Sequence, residues 1–204
     1  MSVGLFKYIR SNVFFFGCLI IAIFLGVLCK EYFTDPPLKC IKSKLDGNTY
    51  CVRERKKMKA AVNLLARVTT NCKVLVKYLK TEYIGQPNVS RLIENFNPEN
   101  ICEIQPSSTD VAYNENKGDI LAFCLNEKKN GSKMIDLHTL TFVALHELAH
   151  TMTVSKGHEK EFWDNFRFLL EQAKAIGIHH PIDYSQKPTE FCGMQLNDNP
   201  YYNN

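Results

Sequence analysis

The segment His146-Glu-Leu-Ala-His150 constrains this chain more than any other, because it places ionisable groups within an apolar stretch. Residues 140–152 are apolar on almost every side of a helical projection, which predicts a helix that is buried on most of its surface. Asp136 precedes this stretch and is predicted to be the helix N-cap. Two imidazoles and a carboxylate in such a helix cost several kcal/mol unless they are paired or bind a metal ion.

The spacing within this segment predicts a zinc site. His146 and His150 lie one helical turn apart on one face, so both can bind a single ion. Glu147 is rotated by about 100° from His146 and can reach a water molecule on that ion. The pattern is the HExxH motif of zinc hydrolases. We therefore predict Zn²⁺ as the cofactor, His146 and His150 as metal ligands, and Glu147 as the catalytic base.

A third ligand is expected, because a catalytic zinc has three protein ligands and one position open to water. We predict His158, which follows the turn-forming sequence Ser155-Lys156-Gly157. This turn lets the chain return past the metal, with His158 at the start of the next helix.

Other polar residues near the motif are candidates for the third ligand. Three carboxylates are alternatives, since many HExxH enzymes take a glutamate from a second helix: Glu159, Glu161 and Asp164. They are otherwise explained as favourable charges at a helix N-terminus. His138 is expected near the start of the motif helix, and His179-His180 in a loop before Pro181, both outside the site.

The N-terminal region predicts a membrane anchor. Residues 13–29 form a run of 17 residues without a charge, at the short end of the range for membrane-spanning helices. A cleaved secretory signal is the alternative, but Val27-Leu28-Cys29 lacks a small-x-small cleavage site. We predict a single-pass protein of a host or virion membrane, with a short tail over residues 1–12. Lys and Arg flank the run on both sides, which leaves its orientation open.

The remaining chain predicts one α+β domain. Residues 30–51 are assigned as a linker and 52–204 as the domain. The three-to-four-residue apolar periodicity from 52 to 83 predicts a long amphipathic helix, followed by a shorter one over 89–96. Apolar runs at 120–125 and 133–135 predict two short strands, hence a small sheet.

The charge pattern favours no nucleic-acid partner. The chain has 25 basic and 21 acidic residues, a small excess spread over mixed clusters. Nucleic-acid binding proteins usually show a larger basic excess with interleaved aromatic residues. We interpret the basic cluster at residues 53–57 as the solvated face of a helix.

Cysteine usage argues against a zinc ribbon, because the six cysteines outside the apolar run contain no C-x-x-C pair. Cys40 and Cys51 flank a loop-like stretch and are the easiest pair to bridge. Cys72 and Cys124 lie in apolar runs and are interpreted as buried thiols.

The motif and its neighbours resemble a known family. His146-Glu-Leu-Ala-His150, a glycine-containing turn, His158 and Phe162-Trp163 resemble the zincin metallopeptidases of the WLM and SprT-like group. The whole chain is similar to membrane-anchored metallopeptidases of large DNA viruses. The resemblance implies a zincin-like α+β fold with a strand edge along which an extended peptide lies.

The residues and the resemblance together predict a membrane-anchored zinc metalloendopeptidase that hydrolyses protein or peptide substrates. The main alternative is a catalytically inactive, zinc-containing viral membrane or virion protein. A nuclear protease of DNA-protein crosslinks is disfavoured by the apolar N-terminus, and a scaffold without metal is the remaining alternative. Tyr184 is one candidate for stabilising the oxyanion, but the chain has nine tyrosines and none is assigned to the site.

Overall fold

The computed structural model describes residues 16, 19–26 and 37–203, which fall into two compact units, 1–36 and 37–204. In the first unit, residues 19–26 are helical and exposed. Among the described residues, no helix has the length and apolarity that a membrane crossing requires. Our prediction of a single-pass membrane protein with a membrane partner is corrected accordingly. Residues 13–15, 17–18 and 27–29 of the predicted anchor lie outside the described residues.

The second unit is a mixed α+β domain, as predicted. Its helices are α1 (Met58–Glu82), α2 (Pro87–Asn95), α3 (Leu137–Met152) and α4 (Lys160–Ala175). Its strands are β1 (Lys39–Lys42), β2 (Thr49–Val52), β3 (Ile101–Glu103), β4 (Ala112–Glu115), β5 (Ile120–Phe123), β6 (Thr189–Phe191) and β7 (Met194–Leu196).

The strands form one small sheet and two hairpins. The three-stranded sheet has the order β3-β5-β4, with β3 parallel and β4 antiparallel to β5. Strand β4 is therefore an edge strand. The predicted strand at 133–135 is present only as an isolated bridge between Asn126 and Met134. The pairs β1–β2 and β6–β7 form antiparallel hairpins.

The predicted linker contains the β1–β2 hairpin. Tyr50 and Val52 are buried in the core, and a disulfide joins Cys40 to Cys51, the pair that the spacing favoured. Helix α1 begins at Met58, later than the apolar periodicity suggested, because Val52 is the last residue of β2 and a short connection follows it.

Part of the basic cluster is not a solvated helix face. Arg53 and Arg55 precede α1, and both form ion pairs with Glu103 of β3, whose side chain is fully buried. The backbone N–H of Arg53 also donates a hydrogen bond to Glu103 at 2.8 Å. A buried carboxylate needs such cationic and hydrogen-bonding partners, so these arginines join the end of β2 to the sheet.

Candidate metal centre

Helix α3 carries the motif and is packed against α1, α2 and α4. Asp136 is its N-cap, as predicted: the carboxylate accepts hydrogen bonds from the backbone N–H of Thr139 at 2.9 Å and from its hydroxyl at 2.8 Å. Leu140 and Leu148 are fully buried. The helix is thus held rigidly by its surroundings, which fixes the direction of the side chains on its one polar patch.

The structure brings the three predicted histidines together. The ring centroids of His146, His150 and His158 are 5.0, 5.0 and 4.8 Å apart, a nearly equilateral triangle. One ring nitrogen from each lies within 4.8 Å of the others, so the group could hold a metal ion. The Nε2 atoms of His146 and His158 are 3.1 Å apart. Two ligands of a tetrahedral zinc, with Zn–N near 2.0 to 2.1 Å, lie about 3.3 Å apart, so this donor set fits the ion.

The loop between α3 and α4 contains His158. Gly157 adopts a φ of +82°, a conformation that favours glycine and turns the chain back toward α3. Helix α4 begins at Lys160, two residues later than predicted, so His158 belongs to the loop rather than to the helix.

The alternative carboxylate ligands lie elsewhere. Glu161 accepts hydrogen bonds from the backbone N–H groups of Val154 at 3.1 Å and Ser155 at 3.3 Å. Asp164 pairs with Lys160 at 2.6 Å, and Glu159 is the exposed N-cap residue of α4. The residue type of the third ligand was therefore ambiguous in the sequence, whereas its position in space favours histidine.

The electrostatics of the site suit a cation. Burial, followed by repulsion from His150 and His158, lowers the pKa of His146 to about 3. Burial likewise lowers the pKa of His150 to about 4. Both imidazoles are thus neutral near pH 7, which is the form that binds metals.

Glu147 shows the opposite shift. Burial, with a smaller contribution from Asp110, raises the pKa of its carboxyl to about 8. The carboxylate has no cation beside it among the described residues. A nearby metal ion would favour the charged form, because an opposite charge stabilises it.

Phe162 forms the apolar floor of the site. Its ring centroid lies 4.8 Å from that of His146, 4.4 Å from His150 and 4.5 Å from His158. The side chain is fully buried, so it excludes water from one side of the histidines. In the sequence, Phe162 belongs to the aromatic pair that carries the family resemblance, and its contact with the histidines is not predicted there.

Lys117 is a positioning residue that the sequence analysis missed. It lies in the β4–β5 turn, and its Nζ donates hydrogen bonds to the carbonyls of Thr153 and Ser155, both at 2.9 Å. The adjacent Gly118 allows this turn to approach closely, since a Cβ there would lie 2.6 Å from the carbonyl oxygen of Asn95. Lys117 thereby joins the end of α3 to the loop that carries His158.

We expect Lys117→Met to weaken zinc binding roughly tenfold, as outer partners of metal ligands do. The variant keeps the apolar stem but leaves the loop carbonyls without their ammonium donor. The measurement is a competition titration with a chromophoric chelator. Lys156→Met is the matched control, because it removes the same charge from an exposed position of the loop that carries His158. Equal zinc affinity of the two variants would contradict this role.

A cleft of about 360 Å³ runs along the histidines and is bordered by Ala112, Tyr113 and Asn114 of the edge strand. Asn114 donates hydrogen bonds to the carbonyl of Glu147 at 2.6 Å and to the hydroxyl of Thr151 at 2.8 Å, which ties β4 to α3. The cleft therefore places a strand edge beside the candidate metal centre.

Three residues considered in the sequence lie outside this cleft. Tyr184 is buried against Phe142, with ring centroids 4.8 Å apart. The tyrosine in the lining of the cleft is Tyr113. His138 lies at the start of α3 and stacks on His179 at 4.2 Å. Neither belongs to the histidine triangle.

The fold and the site define a mixed α+β domain with a candidate three-histidine metal centre and a buried glutamate on the same helix. The sequence profile of the WLM domain matches residues 46–199, most of the chain. The chain therefore belongs to the WLM domain family, which confirms the resemblance seen in the sequence.

Similar proteins include two from large DNA viruses. The uncharacterized protein R325 of Acanthamoeba polyphaga mimivirus is 25% identical over 186 residues, covering 87% of this chain and 94% of the relative. The uncharacterized protein 136R of Invertebrate iridescent virus 6 is 32% identical over 90 residues, covering 43% and 50%. The crystal structure of a Wss1 mutant from Saccharomyces cerevisiae superposes with a TM-score of 0.47 at 18% identity, over 61% of this chain and 86% of that chain.

Proposed function

We propose that this protein is a zinc-dependent metallopeptidase that hydrolyses peptide bonds in a protein or peptide substrate. The observation that carries the proposal is the convergence of three imidazole nitrogens within 4.8 Å, next to a buried glutamate and along a cleft. Membership of the WLM domain family and the HExxH spacing support the same reading.

His146, His150 and His158 would hold the ion. When bound, zinc supplies a Lewis acid and lowers the pKa of a water molecule to about 7. The carboxylate of Glu147 accepts a proton from the attacking water and then donates it to the nitrogen of the leaving amine. Its buried position, which raises its pKa, favours holding that proton between the two steps.

Strand β4 is proposed to orient the substrate. Within the described part of the chain it pairs with β5 alone, so its outer edge offers backbone N–H and C=O groups along the cleft. An extended peptide can add to such an edge by main-chain hydrogen bonds. This arrangement would lay a scissile bond across the face of α3 that carries Glu147.

Metal analysis and peptide digestion test the proposal. Purified full-length protein, supplied with zinc during expression, is expected to contain about one zinc per chain. It should cleave members of a broad peptide library, lose that activity on chelation and regain it when zinc is returned. A protein without zinc, or cleavage that persists after chelation, would refute the assignment.

An inactive zinc-containing virion protein is the second candidate. A metal ion would compensate the buried imidazole of His146 whether or not turnover occurs, and both relatives named above are viral proteins. Bound zinc without cleavage of any library peptide would favour this candidate.

A further inference from the structure

An apolar pocket lies directly beside the candidate metal centre. It has a volume of about 170 Å³ and shares Ala112, His146 and Glu147 with the cleft. A group entering the pocket from the cleft would therefore pass next to Glu147, where the proposed hydrolysis takes place.

The walls of this pocket are mostly apolar and come from three separate parts of the chain, one of which is Val111 and Ala112 at the start of β4. Helix α3 contributes Phe142 and Val143, and the β6–β7 hairpin contributes Phe191 and Leu196. Engineered apolar cavities of about 150 Å³ bind benzene. The pocket thus has the size and lining for one side chain such as leucine, methionine or phenylalanine, and a charged side chain would lose its hydration there.

The hairpin wall is attached to the central strand of the sheet. Cys192, in the β6–β7 turn, forms a buried disulfide with Cys124, the residue that follows β5. The N–H of Cys192 also donates to the carbonyl of Asn126 at 3.0 Å, and that of Gly193 to Glu127 at 2.7 Å. These connections hold the turn of the hairpin against the loop that follows β5. Cys124 was interpreted in the sequence as a buried thiol, which the disulfide corrects.

We propose that this pocket binds the apolar side chain of the substrate residue next to the scissile bond, and that the Cys124–Cys192 disulfide holds the hairpin wall that makes it selective. The inference rests on the proposed peptidase function and names its substrate class. The disulfide closes a loop over a sequence separation of 68. Without it, the turn of the hairpin would be held by its backbone hydrogen bonds to Asn126 and Glu127 in the loop after β5.

The first test measures side-chain preference. Peptides from the library digest are resynthesised with leucine, alanine or aspartate at each position flanking the cleaved bond, and kcat/KM is determined for each. At one of these positions we expect kcat/KM for the leucine peptide to exceed that for the alanine peptide by at least about tenfold, which is the usual effect of one or more methylene groups in an apolar pocket. The aspartate peptide should have the lowest kcat/KM.

A pocket-filling variant assigns the preference to this cavity. Leu196→Trp should reduce the leucine-to-alanine ratio at that position toward one. Leu45→Trp is the matched control, because Leu45 is an exposed leucine in the β1–β2 turn and borders neither the pocket nor the cleft. An unchanged ratio in Leu196→Trp would overturn the assignment of the pocket.

The two disulfides of the domain provide a matched test of the wall. Replacing Cys124 and Cys192 together with alanine should lower the leucine-to-alanine ratio at unchanged zinc content. Replacing Cys40 and Cys51 together with alanine should leave the ratio at its wild-type value. Equal leucine-to-alanine ratios in both double variants would show that the Cys124–Cys192 disulfide has no part in selection. If the Cys124/Cys192 double variant does not fold, the Leu196→Trp result still tests whether the pocket binds the side chain.

Binding separates failure of this inference from failure of the peptidase function. The same peptides are titrated calorimetrically into the zinc-loaded Glu147→Gln protein. Preferential binding of the leucine peptide, abolished by adding Leu196→Trp, supports the pocket even if the wild-type protein cleaves nothing. Cleavage by the wild type with equal rates and equal binding for leucine and aspartate would overturn the pocket and leave the peptidase function intact.

Discussion

Glu147→Gln is expected to abolish most peptide hydrolysis, by about 10²- to 10⁴-fold in kcat, while zinc stays bound. This range is the usual contribution of a positioned general base. Glutamine keeps the shape of the side chain and cannot accept the proton of the attacking water. Because Glu147 is buried and its neighbour Asp110 disfavours its charge, we expect the neutral variant to unfold at the same temperature as the wild type or a higher one.

The measurement is kcat on the best library peptide, together with zinc content and the thermal midpoint. Glu115→Gln is the matched control: it makes the same substitution at an exposed position of the edge strand, outside the lining of the cleft. Wild-type turnover in the Glu147→Gln protein would exclude Glu147 as the base, whatever the metal content.

His158→Ala is expected to weaken zinc binding by more than about 100-fold. A direct ligand contributes more than the outer partners of metal ligands, whose loss costs 10- to 100-fold. His158 is exposed and lies in a loop, so its removal should leave the metal-free fold unchanged. The loss of affinity would then report coordination and not unfolding.

Competition titrations on a series of variants localise this effect. His138→Ala makes the same substitution at the start of α3, outside the histidine triangle, and should retain wild-type affinity. Asp164→Asn should do the same, because its partner is the exposed Lys160. Glu161→Gln should lose about tenfold, since Glu161 accepts hydrogen bonds from the loop that carries His158. Loss of zinc in Glu161→Gln with retention in His158→Ala would indicate a two-histidine, one-glutamate site.

Local patterns were sufficient to predict the motif helix. The apolar periodicity, the N-cap at Asp136 and the spacing of His146 and His150 all depend on residues within a few turns of each other. A pattern of this kind needs no knowledge of the rest of the chain.

The short strands could not be predicted in the same way. Strands β3, β6 and β7 have three residues each, too few for a period of two to be recognised. Their hydrogen bonds come from partners elsewhere in the chain, so pairing rather than propensity decides them. The hydropathy of residues 13–29, conversely, predicted an anchor that the described residues do not support.

By itself, the sequence determined the helix that carries His146, Glu147 and His150 and the chemistry that these groups favour, because both follow from spacing along one helix. Only the tertiary structure brought His158, and not the neighbouring carboxylates, within reach of His146 and His150, since the direction of a side chain in a loop does not follow from its position in the sequence. It alone placed Phe162 beneath the histidines and joined Cys124 to Cys192. These contacts depend on how separate elements pack, and close packing of distant residues leaves no periodic signal in the chain.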